Sequence, residues 1–374
     1  NIWRVDLLFS YSFSGRKSTQ IGAKGGKDRL LYFQAMQRSR FLQWMLLGTA
    51  APFVGQAAEF GAAPRLKTPP YLQPGDVIGI TSPAGFATIE EIVPCVQTIE
   101  SWGFKVKIGN AIGQRDGSFG GTDVQRAADF NDLLSDDSVK AILCAKGGYG
   151  AARMVDQVDW KLLRRNPKWV IGFSDITVLH AHIYKNVGVA SIHSKMCNSF
   201  PTKWEEADAV QQQTILSIYH ALTGKPMSYK VPPTSQNKLG EARGRLIGGN
   251  LKILETLSGT PSEMEMKGGI LFIEDVGEAL YNIDRMMQHL LRCGQLSGLS
   301  ALLVGSFTGI RPETPEQSFG RDLHQIIHEA TASFTYPIAF NFCVGHQKNN
   351  HALKCGVPHH LVVDAEQVSL KEIR

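Results

Sequence analysis

The strongest constraint on the fold is a regular alternation of short apolar runs with amphipathic stretches, which begins near Tyr71. The apolar runs have the length of β-strands, and the stretches between them repeat their apolar residues at helical spacing. Strands and helices that alternate in this way predict a parallel sheet covered by helices on both faces. The predicted strands are Asp76–Thr81, Lys105–Ile108, Val139–Ala145 and Trp169–Gly172, and the predicted helices are Thr88–Trp102, Thr122–Leu134 and Ile176–Tyr184.

The chain divides into two predicted domains. Residues 71–199 form an N-terminal α/β domain, for which we expect a Rossmann-like parallel sheet. Residues 200–240 are polar, contain Pro232 and Pro233, and are interpreted as a connector. Residues 241–374 form a smaller, β-rich α/β domain. Its predicted elements are a helix opened by Gly248-Gly249-Asn250 that runs through Leu257, the strands Gly269–Glu274, Ala301–Val304 and Pro337–Phe342, and the helix Asn282–Arg292.

The first 70 residues are expected to lie outside both domains. Residues 1–35 show neither helical nor strand periodicity, and residues 31–36 resemble the end of an engineered protease-cleavage tag. Residues 59–70 contain three prolines and are interpreted as a linker. The fold is therefore expected to begin at about residue 71.

The segment between the tag-like stretch and the linker has the layout of a secretory signal. Arg38 and Arg40 precede an apolar stretch, and small residues follow it at positions 55–58. We expect an exported, periplasmic protein that is cut near Ala57 or Ala58. The alternative is a buried N-terminal helix in a cytoplasmic protein. The apolar stretch is too short to span a bilayer comfortably, so no stable membrane insertion is expected.

Charge and cysteine content exclude some classes of function. The net charge is +5, but the chain without its first 40 residues has 31 basic and 32 acidic residues. A nucleic-acid-binding surface needs a concentrated basic patch, so no nucleic-acid partner is expected. None of the six cysteines is spaced as CxxC, which argues against a zinc ribbon or a thioredoxin-like site. We predict that most of them are buried as small apolar residues.

Ser174 is a candidate nucleophile because a predicted strand leads directly into it and a predicted helix follows. In a nucleophile elbow, this sharp turn lifts the hydroxyl off the sheet, and the next N–H group, here that of Asp175, points at an oxyanion. The sequence Gly172-Phe173-Ser174-Asp175 does not match GxSxG. A serine in this place is more often a helix N-cap, so the motif alone does not decide between the two roles.

A glycine-rich turn, Gly147-Gly148-Tyr149-Gly150, follows the third predicted strand. Glycines at a strand end let the backbone approach a ligand and present N–H groups to it. A tight turn into the next helix is the simpler reading, and the pattern of a nucleotide-binding loop is absent. An oxyanion donor for Ser174 would explain why two such turns lie at the carboxyl ends of predicted strands, where ligands of parallel sheets bind.

Glu274 and His346 are candidates for the groups that activate a serine. Glu274 ends an apolar strand in a cluster with Asp275 and Glu278, and His346 follows an apolar strand and a glycine. A carboxylate can orient a histidine that acts as general base. Asp275 could equally cap a helix, Glu278 could form a salt bridge, and the Glu274/Asp275 cluster could serve a metal-dependent amidase.

Three other histidines compete for the role of base. His180 and His289 lie within predicted helices, where packing or surface roles are more common, whereas His193 ends a strand of the first domain. Because geometry defines a triad, the residues alone leave the choice between His193 and His346 open.

Long motifs in a fixed order show that the chain resembles the LD-carboxypeptidases, a serine peptidase family that also contains the microcin C immunity peptidases. The resemblance covers nearly all of residues 71–374. It rests on PGDVIGITSPA (74–84), GGTDVQRAADFN (120–131), AKGGYGAAR (145–153), PKWVIGFSDIT (167–177), GRLIGGNLKILETLSGTP (244–261), ILFIEDVGEALYNIDRMM (270–287) and VGHQKNNHALKCG (344–356).

The resemblance implies a Ser-Glu-His hydrolase with Ser174 as nucleophile, Glu274 as carboxylate and His346 as base. It implies oxyanion donors on the backbone of Asp175 and of a glycine in the 147–150 turn, for which we choose Gly148. The implied activity is release of the terminal D-alanine from an L,D-linked muropeptide tetrapeptide during peptidoglycan recycling. The implied assembly is a homodimer, and the implied chemistry needs neither a metal nor an organic cofactor.

One departure from the family pattern bears on the substrate. The family usually has His-Gly-Pro-Met where this chain has His193-Ser194-Lys195-Met196. A microcin C-type peptidase acting on acyl-sulfamoyl-adenylate conjugates is the closest alternative within the family. The alternative without catalytic activity is a peptide- or sugar-binding protein on the same fold.

Overall fold

The computed structural model describes residues 66–373 apart from Glu313, Pro315 and Gln317. The tag-like and signal-like segments, and most of the predicted linker, lie outside the described residues. None of the described helices combines the length and the apolar character needed to cross a membrane.

Thirteen strands and nine α-helices are found in the described residues, with short 3₁₀ turns between them. The strands are β1 (Val77–Thr81), β2 (Lys105–Ile108), β3 (Val139–Cys144), β4 (Trp169–Gly172), β5 (Ser191–His193), β6 (Ser228–Val231), β7 (Gly240–Asn250), β8 (Gly269–Val276), β9 (Ala301–Thr308), β10 (Ile338–Ala339), β11 (Leu353–Cys355), β12 (Pro358–Val363) and β13 (Val368–Glu372). The helices are α1 (Ile89–Ser101), α2 (Asp123–Ser135), α3 (Ala151–Met154), α4 (Trp160–Arg165), α5 (Thr177–His182), α6 (Ala209–Leu222), α7 (Leu251–Thr256), α8 (Leu280–Arg292) and α9 (Leu323–Thr331).

The first sheet has six strands in the order β11-β5-β4-β3-β1-β2, and all neighbours except β11 and β5 are parallel. Its central strands read as continuous apolar runs because helices cover both faces; β3 and β4 are almost wholly buried. The Rossmann-like parallel sheet predicted for the N-terminal domain is thus confirmed.

The second sheet has seven strands in the order β10-β9-β8-β7-β12-β13-β6. Strands β7 to β10 are parallel, whereas β12, β13 and β6 join antiparallel. This mixed sheet confirms the predicted β-rich α/β character of the C-terminal domain.

The N-terminal and C-terminal parts of the chain share a β-sheet and an apolar core. β11 comes from the C-terminal part of the sequence but pairs antiparallel with β5 in the first sheet, with Leu353 opposite His193. The predicted connector at 200–240 contains regular structure: α6, and β6 at the edge of the second sheet. The apolar core is shared as well, since Ile142 of the first sheet and Leu271 of the second belong to one cluster of buried side chains.

Local signals explain most element boundaries. Thr88 caps α1 in a reciprocal capping box with Glu91, and Gly103 follows the helix at φ +87°. The predicted elements Trp169–Gly172 and Asn282–Arg292 agree with β4 and α8 to within two residues. Five of the six cysteines are buried and Cys293 is exposed, all as free thiols, which confirms that most of them are packing residues.

Candidate active site

Ser174 lies at the carboxyl end of β4, where the chain turns sharply into α5. Its φ of +62° is left-handed, which is unfavourable for a residue with a side chain. A short 3₁₀ turn, Ser174–Ile176, leads directly into α5, and the side chain of Ser174 is partly exposed. A strained serine between a strand and a helix is the geometry of a nucleophile elbow.

The glycine-rich turn lies against this serine. A Cβ atom added to Gly147 would lie 3.2 Å from Ser174 Oγ, so Gly147 permits a close approach. Gly148 has a φ of +97°. The carbonyl of Gly147 accepts a hydrogen bond from Gly85 N at 2.8 Å, so the N–H of Gly148, on the opposite side of the same trans peptide, points away from Gly85.

The side chains of His346 and Glu274 are hydrogen-bonded to each other. His346 Nδ1 lies 2.6 Å from Glu274 Oε2; the carboxylate is fully buried, whereas a fifth of the imidazole side chain is exposed. Since an ionised carboxylate only accepts, this bond places the ring proton on Nδ1 and leaves Nε2 free to accept a proton. The pair therefore has the arrangement of a general base and the group that orients it.

Gly345 allows the histidine loop to approach the carboxylate. Its φ is +112°, and an added Cβ would lie 2.7 Å from Glu274 Cβ and 2.5 Å from Ser306 Oγ. Glu274 itself is held by β8, where it lies opposite Asn250 of β7. The loop and the strand end thus fix the separation between His346 and Glu274.

Phe173 and Thr177, on either side of the serine, connect the two domains. The Phe173 and His346 rings have centroids 4.8 Å apart, which brings the candidate base beside the nucleophile turn. On α5, Thr177 Oγ1 accepts a hydrogen bond from Asn250 N at 3.1 Å. Among the described residues Ser174 Oγ has no hydrogen-bond partner, and looser contacts of this kind are common in sites without substrate.

Asp175 stabilises the glycine-rich turn through its side chain. Its Oδ2 accepts a hydrogen bond from Ala151 N at 2.8 Å, at the start of α3. Burial raises the pKa of Asp175 to about 6, although the backbone hydrogen bonds and the nearby Arg126 act in the opposite direction. Its backbone N–H lies at the beginning of a helical turn, where N–H groups have no intrahelical acceptor.

Arg126 was not singled out from the sequence, and the structure gives it a supporting role. This arginine of α2 is fully buried, and its guanidinium donates to the carbonyls of Pro83, Gly121 and Gly150. It therefore anchors the glycine-rich turn from behind. Its place within the motif GGTDVQRAADFN was the available signal, but nothing local predicts its burial.

The three histidines that compete with His346 for the role of base either have other hydrogen-bond partners or are fully buried. His180 lies between Ser191 Oγ at 2.8 Å and the carbonyl of Gly172 at 2.9 Å, and His289 contacts Glu255 at 2.8 Å. His193 is fully buried beside Phe173 and Phe272, and burial lowers its pKa well below the usual value. His346 is the histidine that combines a carboxylate partner with partial exposure near Ser174.

The other acidic residues of the cluster serve local structure. Asp275 accepts hydrogen bonds from the Asn250 side chain and from Lys252 N, both at 2.9 Å, so it helps to cap α7 as one reading anticipated. Glu278 accepts from Asn282 at 3.0 Å. Within the described residues no three His, Cys, Asp or Glu side chains are grouped as metal ligands would be.

Two family models match the chain. The LD-carboxypeptidase N-terminal domain matches residues 78–194, and the LD-carboxypeptidase C-terminal domain matches residues 243–361. These matches include Ser174 in the first range and Glu274 and His346 in the second.

Relatives agree with these matches over most of the chain. A probable murein peptide carboxypeptidase of Bacillus subtilis is 33% identical over 290 residues, which is 77% of this chain and 89% of the relative. The microcin C7 self-immunity protein MccF of Escherichia coli is 26% identical over 80% of this chain and 94% of its own length. The crystal structure of muramoyltetrapeptide carboxypeptidase from Oxalobacter formigenes superposes with a TM-score of 0.72 at 26% identity, covering 80% of this chain and 99% of that one.

The two family models thus cover most strands of both sheets and every candidate residue of the site. The chain belongs to the LD-carboxypeptidase family of peptidases.

Proposed function

We propose that this protein is a serine carboxypeptidase that releases the terminal D-alanine from muropeptide tetrapeptides, as expected for peptidoglycan recycling. One observation carries the proposal: the strained Ser174 follows Phe173, whose ring lies 4.8 Å from that of His346, and His346 Nδ1 is bound to the buried Glu274 of the second sheet. The substrate class is supported by the names of the carboxypeptidase relatives.

The proposed reaction has two halves. His346 Nε2 takes the proton of Ser174 Oγ as the oxygen attacks the carbonyl of the L,D-amide, while the backbone N–H groups of Gly148 and Asp175 stabilise the oxyanion. The C–N bond then breaks, and His346 gives its proton to the leaving amine of D-alanine. Water hydrolyses the acyl-enzyme, with His346 again as base, and frees Ser174.

The buried carboxylate has a defined part in this scheme. Glu274 holds the imidazole in the tautomer that can accept a proton, and it stabilises the imidazolium that forms next to it. Because its side chain is fully buried, little solvent screens this attraction.

The direct test is digestion of a muropeptide tetrapeptide followed by mass spectrometry. We expect loss of a single alanine residue with the wild-type chain, no loss with Ser174→Ala, and no loss from an epimer with terminal L-alanine. An intact tetrapeptide after prolonged digestion with folded wild-type protein would refute the proposal.

The E. coli relative supports one alternative substrate. Because that relative is a microcin C7 self-immunity protein, an acyl-sulfamoyl-adenylate conjugate belongs in the same assay. Cleavage of this conjugate together with an untouched tetrapeptide would assign the microcin C-type activity, with the same Ser174, Glu274 and His346 chemistry.

A further inference from the structure

Lys195 is a half-buried cation beside the candidate active site. β5 lies next to β4 in the first sheet, with His193 opposite Gly172, and Ser194 N donates to the carbonyl of Gly172 at 3.0 Å. The chain beyond β5 therefore runs alongside the turn that carries the nucleophile. Lys195 is the second residue beyond the strand, so its backbone lies at the same edge of the sheet.

The ammonium group of Lys195 is directed at the site. Its Nζ lies 5.4 Å from the centroid of the Phe173 ring, and the same ring lies 4.8 Å from the imidazole of His346. On the next residue, Met196, the Cε atom would lie 3.3 Å from a Cβ added to Gly147. The segment 195–196 thus lies beside the point where the serine turn and the glycine-rich turn meet.

This cation has no anionic partner among the described residues. Lys195 is only partly exposed and forms no salt bridge there, although Glu274 is near enough to attract it. Burial lowers the pKa of Lys195, and the attraction of Glu274 offsets this only in part. Glu274 attracts the ammonium without coming within salt-bridge distance of it, and its Oε2 is bound to His346 Nδ1. A half-buried cation without a counter-ion is costly unless a ligand supplies one.

The chemistry of a carboxypeptidase supplies such an anion at this place. The leaving D-alanine carries its free carboxylate one carbon beyond the scissile nitrogen, less than one residue's length away. His346 must protonate that nitrogen, so the leaving residue lies on the His346 side of Ser174. Lys195 and His346 both lie near the Phe173 ring, and the ammonium is close enough to Glu274, the partner of His346, to be attracted by it, so Lys195 lies near the His346–Glu274 pair.

We propose that Lys195 Nζ binds the free C-terminal carboxylate of the substrate and thereby restricts cleavage to the last residue of the peptide. This inference rests on the proposed function and adds a residue that determines specificity. An endopeptidase substrate, or a peptide with a blocked terminus, would leave the half-buried ammonium unpaired and would bind weakly.

The experiment compares a tetrapeptide acid with the corresponding C-terminal carboxamide. The wild-type protein should cleave the acid with a kcat/KM about 10- to 100-fold higher than that of the amide, the range of one charge-assisted hydrogen bond. Lys195→Gln should lower kcat/KM for the acid by a similar factor, mainly through KM, and change the amide less than about threefold. Lys195→Arg should retain most of the preference for the acid.

Lys203→Gln is the matched control, because Lys203 is exposed and paired with Glu206 on the surface. It should leave both substrates unchanged. Equal losses on acid and amide in Lys195→Gln, or no loss at all, would overturn the inference while the proposed function stands. Wild-type protein that cleaves neither the tetrapeptide acid nor its amide would overturn the proposed function and this inference with it.

Discussion

At the scale of single residues, two histidines near Ser174 differ in their surroundings. His346 is partly exposed and bound to Glu274, whereas His193 is fully buried beside two phenylalanine rings. A catalytic base must exchange protons with substrate, and a buried ring mainly fills space. The roles should therefore separate into activity for His346 and stability for His193.

Substitution of the two histidines tests this separation. His346→Ala should lower kcat/KM on the tetrapeptide at least about a thousandfold, as Ser174→Ala should, because a nucleophile and its base are expected to act as a unit. His193→Ala should lower the free energy of unfolding by about 2–4 kcal/mol through the cavity it leaves, with the folded fraction retaining activity within about tenfold. Kinetics combined with urea unfolding measure both effects. A larger activity loss in His193→Ala than in His346→Ala would make His193 the base.

Asp175 gives a pH dependence of stability. Its pKa is raised from 3.8 to about 6 by burial, so between these values the folded state holds a proton that the unfolded state has lost. Stability therefore falls as pH rises through this window, by about 2–3 kcal/mol in all, and remains lower above pH 6.

Asp175→Asn isolates this contribution, since the amide oxygen still accepts from Ala151 N but does not titrate. The difference in unfolding free energy between variant and wild type should shift in favour of the variant by about 2–3 kcal/mol from pH 4 to pH 7. Urea unfolding at each pH measures it. Parallel pH profiles for the two proteins would show that the carboxyl of Asp175 is not destabilised by burial.

At the scale of elements, the carboxyl end of β7 joins the second sheet to α5, the helix that follows Ser174. Gly248 has a φ of +142°, and an added Cβ would lie 1.9 Å from the carbonyl oxygen of Phe272. At Gly249 an added Cβ would lie 2.4 Å from Thr177 Oγ1 on α5. Neither position has room for a side chain: Gly248 lets β7 pair closely with β8 within the second sheet, and Gly249 lets β7 approach α5.

Alanine substitution of these glycines tests the packing. Gly248→Ala should lower the free energy of unfolding by more than about 3 kcal/mol, because backbone strain and a clash with backbone add. Gly259→Ala is the control: its φ is +77° but no atom lies within 4 Å of an added Cβ, so only strain of about 1–2 kcal/mol is expected. Thermal and urea unfolding give both values. Equal losses at the two positions would show that the contact with Phe272 is unimportant.

The elements that the sequence predicts are those with strong local signals. β4 and α1 were found because an apolar run or a capping box marks their ends. The sequence does not predict α6, because a polar stretch with a modest apolar face resembles a connector. Its local helix signal is Asp208 at the N-cap. β10 is two residues long, not the six predicted, because only Ile338 and Ala339 pair with β9.

As with the secondary-structure elements, only part of the candidate site can be predicted from the sequence. Ser174, Glu274 and His346 each follow a recognisable apolar strand, so the residues could be named before their contacts were known. The place of Lys195 could not be foreseen, because it depends on the pairing of β5 with β4 and on the position of Phe173. The sequence also does not predict the pairing of β11 with β5, because strands about 160 residues apart leave no local pattern that would identify them as partners.

At the scale of the whole molecule, the described residues belong to one compact unit, with the candidate site near the junction of its two sheets. Ser174 follows a strand of one sheet, whereas Glu274 belongs to the other and His346 to the loop between β10 and β11, so the proposed chemistry would depend on how the two sheets pack together. The division into domains at 71–199 and 241–374 remains a useful description of the sequence. The export signal and the homodimer stay predictions.

The central claim is that Ser174 is the nucleophile and that His346, oriented by Glu274, activates it. Intact-mass measurement after treatment with a serine-reactive fluorophosphonate, followed by peptide mapping, tests it most directly. We expect one adduct per chain, located on Ser174, with labelling at least about a hundredfold slower in His346→Ala and absent in Ser174→Ala. An adduct on another residue, or undiminished labelling in His346→Ala, would contradict the account.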